Sequence, residues 1–135
     1  MAKKPRQGGW VRTLDKGEKA AIGATCERFI AETLKPRFLS QIRPTQFNYL
    51  VDIVGRWRAH RYSFIARYRS GFPDNLGEEF ETAFTRLDHV ETHLAGVRFD
   101  VMWHRHTGQW FCLYTARSLD ESLSLVTTDE LLWPP

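Results

Sequence analysis

Several features are missing from this sequence of 135 residues, and each absence excludes a class of protein. No run approaches the roughly 18 consecutive apolar residues of a membrane-spanning helix, and residues 1–12 lack the apolar centre of a secretory signal. Only two cysteines occur, Cys26 and Cys112, which are too few for the disulfide framework of a small secreted domain. We therefore expect a cytoplasmic protein in which both cysteines are reduced core thiols.

The sequence also lacks the short motifs that mark many nucleotide-binding and hydrolytic enzymes. It contains no G-x-G-x-x-G or Walker-type loop for phosphates, no H-E-x-x-H metal helix and no G-x-S-x-G nucleophile elbow. We therefore assign no catalytic residue and no cofactor, and the pattern favours a binding protein over an enzyme.

Charge is distributed unevenly along the chain, although the net charge is only +3. Residues 1–70 contain 15 Lys and Arg against 5 Asp and Glu, whereas residues 71–135 contain 4 against 11. Such an asymmetry is typical of a basic surface that binds polyanions, or of two halves that neutralise each other after folding. Both interpretations are open at this point.

Length and composition predict one folded domain. The chain is too short for two domains of ordinary size, and its 42% hydrophobic and 13% aromatic residues are enough for one core. Residues 1–13 are rich in Lys, Arg, Gly and Pro, and we expect them to form a basic flexible arm. Residues 14–135 then form the single domain.

A helix is predicted near each end of this domain. Asp15 and Glu18 have the spacing of a capping box, and Pro36 should end the helix that they open. Ser118 and Glu121 repeat the capping box before the last helix. The first helix carries an apolar stripe formed by Ile22, Cys26, Phe29, Ile30 and Leu34.

Between the helices, alternating apolar residues predict strands. Residues 47–54 and 61–69 form one pair that turns at Gly55 and Arg56, and residues 97–104 and 109–115 form a second hairpin. The spacing in residues 80–90 slightly favours a helix. The predicted fold is α+β, with an N-terminal helix, an antiparallel β-meander of about four strands and a C-terminal helix packed on the sheet.

Four stretches of the sequence resemble one family of small bacterial proteins. They are a helix that leads into Lys35, Pro36, Arg37, Gln41, Ile42 and Arg43; a two-stranded unit that turns at Gly55; a hairpin with Trp103, His104, Arg105, Gly108, Gln109 and Trp110; and an apolar-acidic helix followed by Trp133. On these residues the chain resembles the DUF3024 family, a domain of unknown function. The resemblance implies a bacterial protein and a strand within residues 80–90, and it implies no activity.

The sharpest functional candidate is the interleaving of arginine and aromatic residues. Arginine neutralises phosphates and exposed aromatic rings stack on bases at about 1–3 kcal/mol each, so a sheet face with both suits single-stranded nucleic acid. We predict a non-enzymatic module that binds single-stranded nucleic acid or another polyanion through Arg56, Trp57, Arg58, Arg61, Arg67, Arg69, Trp103, His104 and Arg105. The alternative is that the rings fill the core and the arginines cover an outer strand face.

Two other functions stay open. His60, His104 and His106 could converge on a transition metal, which would make the protein metal-dependent or an enzyme. Alternatively, the chain is a homodimeric protein-binding scaffold, because a small sheet leaves edges that a second copy can cover. We expect a homodimer and no membrane partner.

Overall fold

The computed structural model describes residues 10–135 and has an α+β fold built on one antiparallel sheet. The sheet is a meander, since each strand pairs with the strand before it. Its strands are β1 (Asn48–Arg58), β2 (Arg61–Ser70), β3 (Glu79–His89), β4 (Phe99–His104) and β5 (Trp110–Arg117). The predicted fold is confirmed, with five strands where we expect about four. Residues 1–9 of the predicted basic arm lie outside the described residues.

Helices lie on one face of this sheet. Helix α1 (Lys16–Phe29) continues through a π-helical turn (Ile30–Leu34) into α2 (Lys35–Phe38), and α3 (Leu119–Thr128) follows β5. The core lies between the helices and the sheet and includes Ile22, Cys26, Leu34, Phe64, Leu87, Phe99, Val101, Leu123 and Val126. No helix within residues 10–135 has the length and apolar character needed to cross a membrane.

Both long helices begin at the predicted capping boxes. The Glu18 backbone N–H donates to Asp15 Oδ1 over 2.7 Å, and the Glu121 backbone N–H donates to Ser118 Oγ over 3.1 Å. In each case the glutamate also accepts from the backbone N–H of the cap residue. Each box therefore satisfies two N–H groups that a helix start leaves without partners.

Pro36 does not end the first helix, contrary to the expectation from sequence. Just before it, the backbone widens so that the Lys35 N–H donates to the Ile30 carbonyl oxygen rather than to that of Ala31. Proline has no N–H, and its ring crowds the carbonyl four residues back. The wider π-helical turn relieves this crowding, and the helix continues to Phe38.

Gly55 lies inside β1, so the predicted turn at Gly55 and Arg56 is wrong. The chain reverses later, at Ala59 and His60, where Ala59 has a φ of 53°. A Cβ at Gly55 would lie 1.9 Å from the hydroxyl oxygen of Tyr62, which is buried on the next strand. The glycine is therefore required by the packing of the Tyr62 ring and not by a turn.

Gly55→Ala should lower the free energy of unfolding by about 1–3 kcal/mol or more, because the new methyl group overpacks the Tyr62 ring. Gly96→Ala is the matched control, since no atom lies within 4 Å of a Cβ placed at Gly96. We expect the control to change stability by less than about 0.5 kcal/mol. Urea unfolding followed by circular dichroism measures both, and equal midpoints for the two variants would contradict this packing account.

Residues 80–90 belong to β3, as the family resemblance implies, and the helical interpretation of their spacing is wrong. The register of β2 with β3 shifts between Phe64 and Ile65, which leaves Phe84 as an extra residue in β3. Phe84 and Leu87 are both buried although they are three residues apart. A β-bulge produces the spacing that resembles a helix.

The C-terminal segment that follows α3 packs back on the sheet. The Thr85 hydroxyl donates to the Leu132 carbonyl oxygen over 2.9 Å, and the Tyr68 hydroxyl donates to the Pro135 carbonyl oxygen. The Trp133 indole N–H donates to the Val126 carbonyl oxygen over 3.0 Å. The segment thereby connects α3 to β2 and β3.

His89 is buried at the end of β3 with only 5% of its surface exposed. Its ring packs on Phe99 with a centroid separation of 6.0 Å, and neither ring nitrogen has a hydrogen-bond partner in the described structure. Burial lowers the pKa of His89 below its usual 6.5, and the neighbouring Arg12 charge acts in the same direction. The neutral imidazole is therefore the form that the fold accepts.

The free energy of unfolding should fall as the pH drops below about 6.5, because His89 binds a proton in the unfolded chain before it does in the folded one. Above that pH both states hold a neutral ring and the full stability is present. His89→Leu should flatten this part of the profile, whereas His106→Leu, at an exposed turn, should not. Urea unfolding between about pH 7.5 and about pH 5.5 measures the slope, and an unchanged slope in His89→Leu would refute the assignment.

Candidate functional site

The alternation of β2 separates its side chains onto two faces, as predicted. Tyr62, Phe64, Ala66 and Tyr68 lie under the helices. Arg61, Ser63, Arg67 and Arg69 project to the opposite side, which we call the open face because none of the described helices packs on it. From the other strands the open face receives Tyr49, Asp52, Val54, Arg56, Arg58, Glu79, Glu81, Ala83, Arg86, Asp88, Asp100, Met102, His104, Trp110 and Cys112.

Beside the C-terminal part of β2, arginines and acids of the open face pair across the strands. We call this set of pairs the ion-pair ladder. The register places Arg69 opposite Glu79 and Arg67 opposite Glu81. Their nitrogen–oxygen distances are 2.7 Å and 2.8 Å. Arg56 on β1 also reaches Glu81, at 3.2 Å, so one acid serves two guanidinium groups.

The ladder neutralises much of the charge asymmetry of the sequence. Hydrogen bonds from Arg67 and then Arg56 lower the pKa of Glu81, and the hydrogen bond to Glu81 raises the pKa of Arg67. Arg67 also lies 3.6 Å from Asp52 on β1. Of the two interpretations of the charge asymmetry, mutual neutralisation after folding holds in this part of the face.

Beyond the ladder, the open face contains a small concave site that we call the arginine pocket. It has a volume of about 300 Å³ and is lined by Arg58, Arg61, Ser63, Ala83, Arg86 and Trp110. The β2–β3 bulge builds it, because the shifted register places Arg86 opposite Ser63, where the unshifted one would place Thr85. Sequence reasoning missed Arg86 and Ser63, since the register shift is not visible in the sequence.

Positive charge exceeds negative charge at this pocket. Asp88 accepts from Arg86 Nε over 2.6 Å and lies 3.6 Å from Arg61 Nε. Arg58 makes no ion pair with any described carboxylate. Asp100, which pairs with Asp88 across β3 and β4, accepts instead from the backbone of Ala116. Asp88 is thus the one described carboxylate that pairs with any of the three guanidinium groups.

Trp110 forms one wall of the pocket and is held in place by two contacts. Its ring stacks on the His104 imidazole with centroids 4.6 Å apart, and the Arg86 guanidinium lies 4.5 Å from its ring centre. His104 Nδ1 in turn donates to the Ala83 carbonyl oxygen over 2.8 Å, which fixes the imidazole. The Ala83 carbonyl group thus holds His104, His104 holds Trp110, and Trp110 orients the Arg86 guanidinium.

Comparison with known proteins assigns the chain to a family. The family described as "Domain of unknown function (DUF3024)" matches residues 14–134. The chain belongs to the DUF3024 family. No curated protein and no solved structure matches it. The DUF3024 match includes both capping boxes, all five strands and the whole arginine pocket.

Three of the predicted site residues in this DUF3024 chain lie away from the open face. Trp57 packs against α1 and donates its indole N–H to the Lys19 carbonyl oxygen over 3.1 Å. Trp103 packs against the core, and the Arg105 guanidinium lies 5.5 Å from its ring centre. For Trp57 and Trp103 the alternative stated above, aromatic rings used for packing, is the one observed. Trp110 is the tryptophan on the open face.

The histidines of the alternative hypothesis lie at different places. His60 is at the β1–β2 turn, and its carbonyl oxygen accepts from the His89 backbone N–H. His104 is held between Ala83 and Trp110, and His106 is exposed in the β4–β5 turn. Within residues 10–135, no three His, Cys, Asp or Glu side chains are grouped closely enough to hold a metal ion.

The two cysteines differ in exposure. Cys26 is fully buried in the core, as expected, but the expectation of a core thiol is wrong for Cys112, which is exposed on the open face. The register shift between Val101 and Met102 leaves Leu113 as an extra residue in β5, so Cys112 and Tyr114 lie on opposite faces.

An aromatic disulfide reagent should modify one thiol per folded chain, and this thiol should be that of Cys112. Burial raises the pKa of Cys26 to about 12 and makes it inaccessible, so it should react only after unfolding in urea. Burial also raises the pKa of Cys112, so its reaction should accelerate into the alkaline range. Cys112→Ser should abolish the reaction of the folded protein and Cys26→Ala should not. Two equally fast thiols would contradict the assignment.

Proposed function

We propose that this DUF3024 protein is a non-enzymatic module that binds single-stranded nucleic acid, or another polyanion, on the open face of its sheet. The observation that carries the proposal is the arginine pocket, where Arg58, Arg61 and Arg86 surround a cavity. Asp88 pairs with Arg61 and Arg86, and Arg58 has no described carboxylate partner. Guanidinium groups bind phosphate oxygens through paired N–H donors, and they remain charged at any physiological pH.

The position of the pocket on a sheet supports a single-stranded ligand. Several families of nucleic-acid-binding domains present a sheet face to an extended strand and combine arginines with aromatic rings. Arg61, Ser63, Ile65 and Arg67 occupy successive alternate positions of β2, so a backbone lying along this strand would pass the pocket first and the ladder next. The ladder arginines are already paired, which concentrates the attraction at the pocket.

A homodimer, a cytoplasmic location and a bacterial origin stay predictions. For the dimer, the support is the free edge of β1, an eleven-residue strand that has a described strand on one side only. A row of unpaired N–H and C=O groups of this length is a template for pairing with a second copy.

Binding to short labelled single-stranded DNA and RNA, followed by fluorescence anisotropy over a range of salt concentrations, tests the proposed function. If the pocket contacts three phosphates, the logarithm of the affinity should fall against the logarithm of salt with a slope of about −2. Arg58→Ala/Arg61→Ala should weaken binding and reduce the slope to about −0.7, because one phosphate contact remains.

Two control variants separate the pocket from general charge. Lys16→Ala/Arg28→Ala removes the same two charges from α1, on the other side of the sheet, and should leave binding nearly unchanged. Arg69→Ala/Glu79→Ala deletes a ladder pair without changing the net charge and should also bind normally. Equal losses in all three variants, or no binding at low salt, would contradict the proposal.

A further inference from the structure

We infer that the arginine pocket recognises the phosphomonoester at the end of a nucleic-acid strand, an inference that rests on the function proposed above. The first reason is charge. Arg58, Arg61 and Arg86 contribute three positive charges to the cavity lining, and Asp88 is the one described carboxylate that pairs with any of them. A terminal phosphate carries close to two negative charges at neutral pH, whereas each internal phosphate carries one.

The second reason is the set of N–H and O–H groups that the pocket leaves without a protein acceptor. Arg86 uses Nε and Nη2 on the two oxygens of Asp88, at 2.6 Å and 2.9 Å, which leaves its other terminal nitrogen. Arg61 lies 3.6 Å from Asp88, beyond hydrogen-bond distance, and Arg58 makes no ion pair with a described acid. The Ser63 hydroxyl makes no hydrogen bond to a described residue and lines the same cavity.

These donors come from three directions. Arg58 is on β1, Arg61 and Ser63 are on β2, and Arg86 is on β3, so they surround the cavity on three adjacent strands. A phosphomonoester offers three free oxygens, whereas an internal phosphate has two of its four oxygens in ester bonds. A converging set of donors is therefore better matched by the end of a strand than by its middle.

Trp110 supports the assignment to phosphate rather than to a base. Its ring is already in contact with the His104 imidazole and with the Arg86 guanidinium, which lies 4.5 Å from the ring centre. We therefore assign Trp110 as a positioning residue that holds Arg86 against the cavity. Recognition of the phosphate end by this pocket is then independent of the base next to it.

The test is a comparison of one single-stranded oligonucleotide sequence prepared with a 5′-phosphate, with a 3′-phosphate and with hydroxyl groups at both ends. Each is labelled internally and titrated with the full-length protein under one salt condition. At least one phosphorylated form should bind about tenfold more tightly than the hydroxyl form, as expected for one additional charge-assisted hydrogen bond. Arg58→Ala/Arg61→Ala should lose this preference and Arg69→Ala/Glu79→Ala should keep it.

The outcomes distinguish this inference from the proposed function. Salt-dependent binding with equal affinity for all three ends would overturn the inference and leave the proposed function standing. No binding of any form would overturn both. A nucleoside monophosphate that displaces the labelled strand at the same concentration as the phosphorylated oligonucleotide would also overturn the inference, in favour of a free nucleotide ligand. Thermal unfolding of each variant confirms that it is folded before its affinity is compared.

Discussion

The pairing of β2 with β3 is the constraint on which both faces of the sheet depend. From Ile65 to Arg69 the register places the arginines of β2 opposite the glutamates of β3, which builds the ion-pair ladder. The extra residue Phe84 shifts the register by one for Arg61 to Phe64. Without this shift Leu87 would point to the open face and Arg86 into the core, which neither the hydrophobic effect nor charge desolvation permits. The same bulge therefore completes the core and creates the arginine pocket.

On the covered face, some buried polar groups lack full compensation. The Tyr62 hydroxyl and both ring nitrogens of His89 have no hydrogen-bond partner in the described structure, and the Tyr62 ring fits only because the residue beneath it on β1 is a glycine, Gly55. Such groups lower stability relative to a fully satisfied core. The open face has the opposite character, since its polar groups are solvated or paired and its arginines can exchange partners at small cost.

Local signals in the sequence predict local structure here. The capping boxes at Asp15 and Ser118, the alternation of β2 and the turn before Trp110 each depend on a few neighbouring residues, and each is confirmed. Errors occur where two distant segments interact. Gly55 looks like a turn residue until the Tyr62 ring is placed over it, and the spacing of Phe84 and Leu87 looks helical until the bulge is known. The arginine pocket depends on the same bulge. The sequence therefore contains the arginines of the pocket but does not show which of them lack an acidic partner.

The central claim is that the attraction for anions is concentrated at the arginine pocket and not spread over the open face. Nitrogen–proton correlation NMR during titration with a single-stranded oligonucleotide tests it directly, because the five tryptophan indole signals and the arginine side chains report separate parts of the surface. The account predicts that Arg58, Arg61, Arg86 and the Trp110 indole shift first, while Trp57 and the ladder arginines Arg67 and Arg69 change little. Equal shifts along the ladder and the pocket, or shifts confined to the helical side, would contradict it.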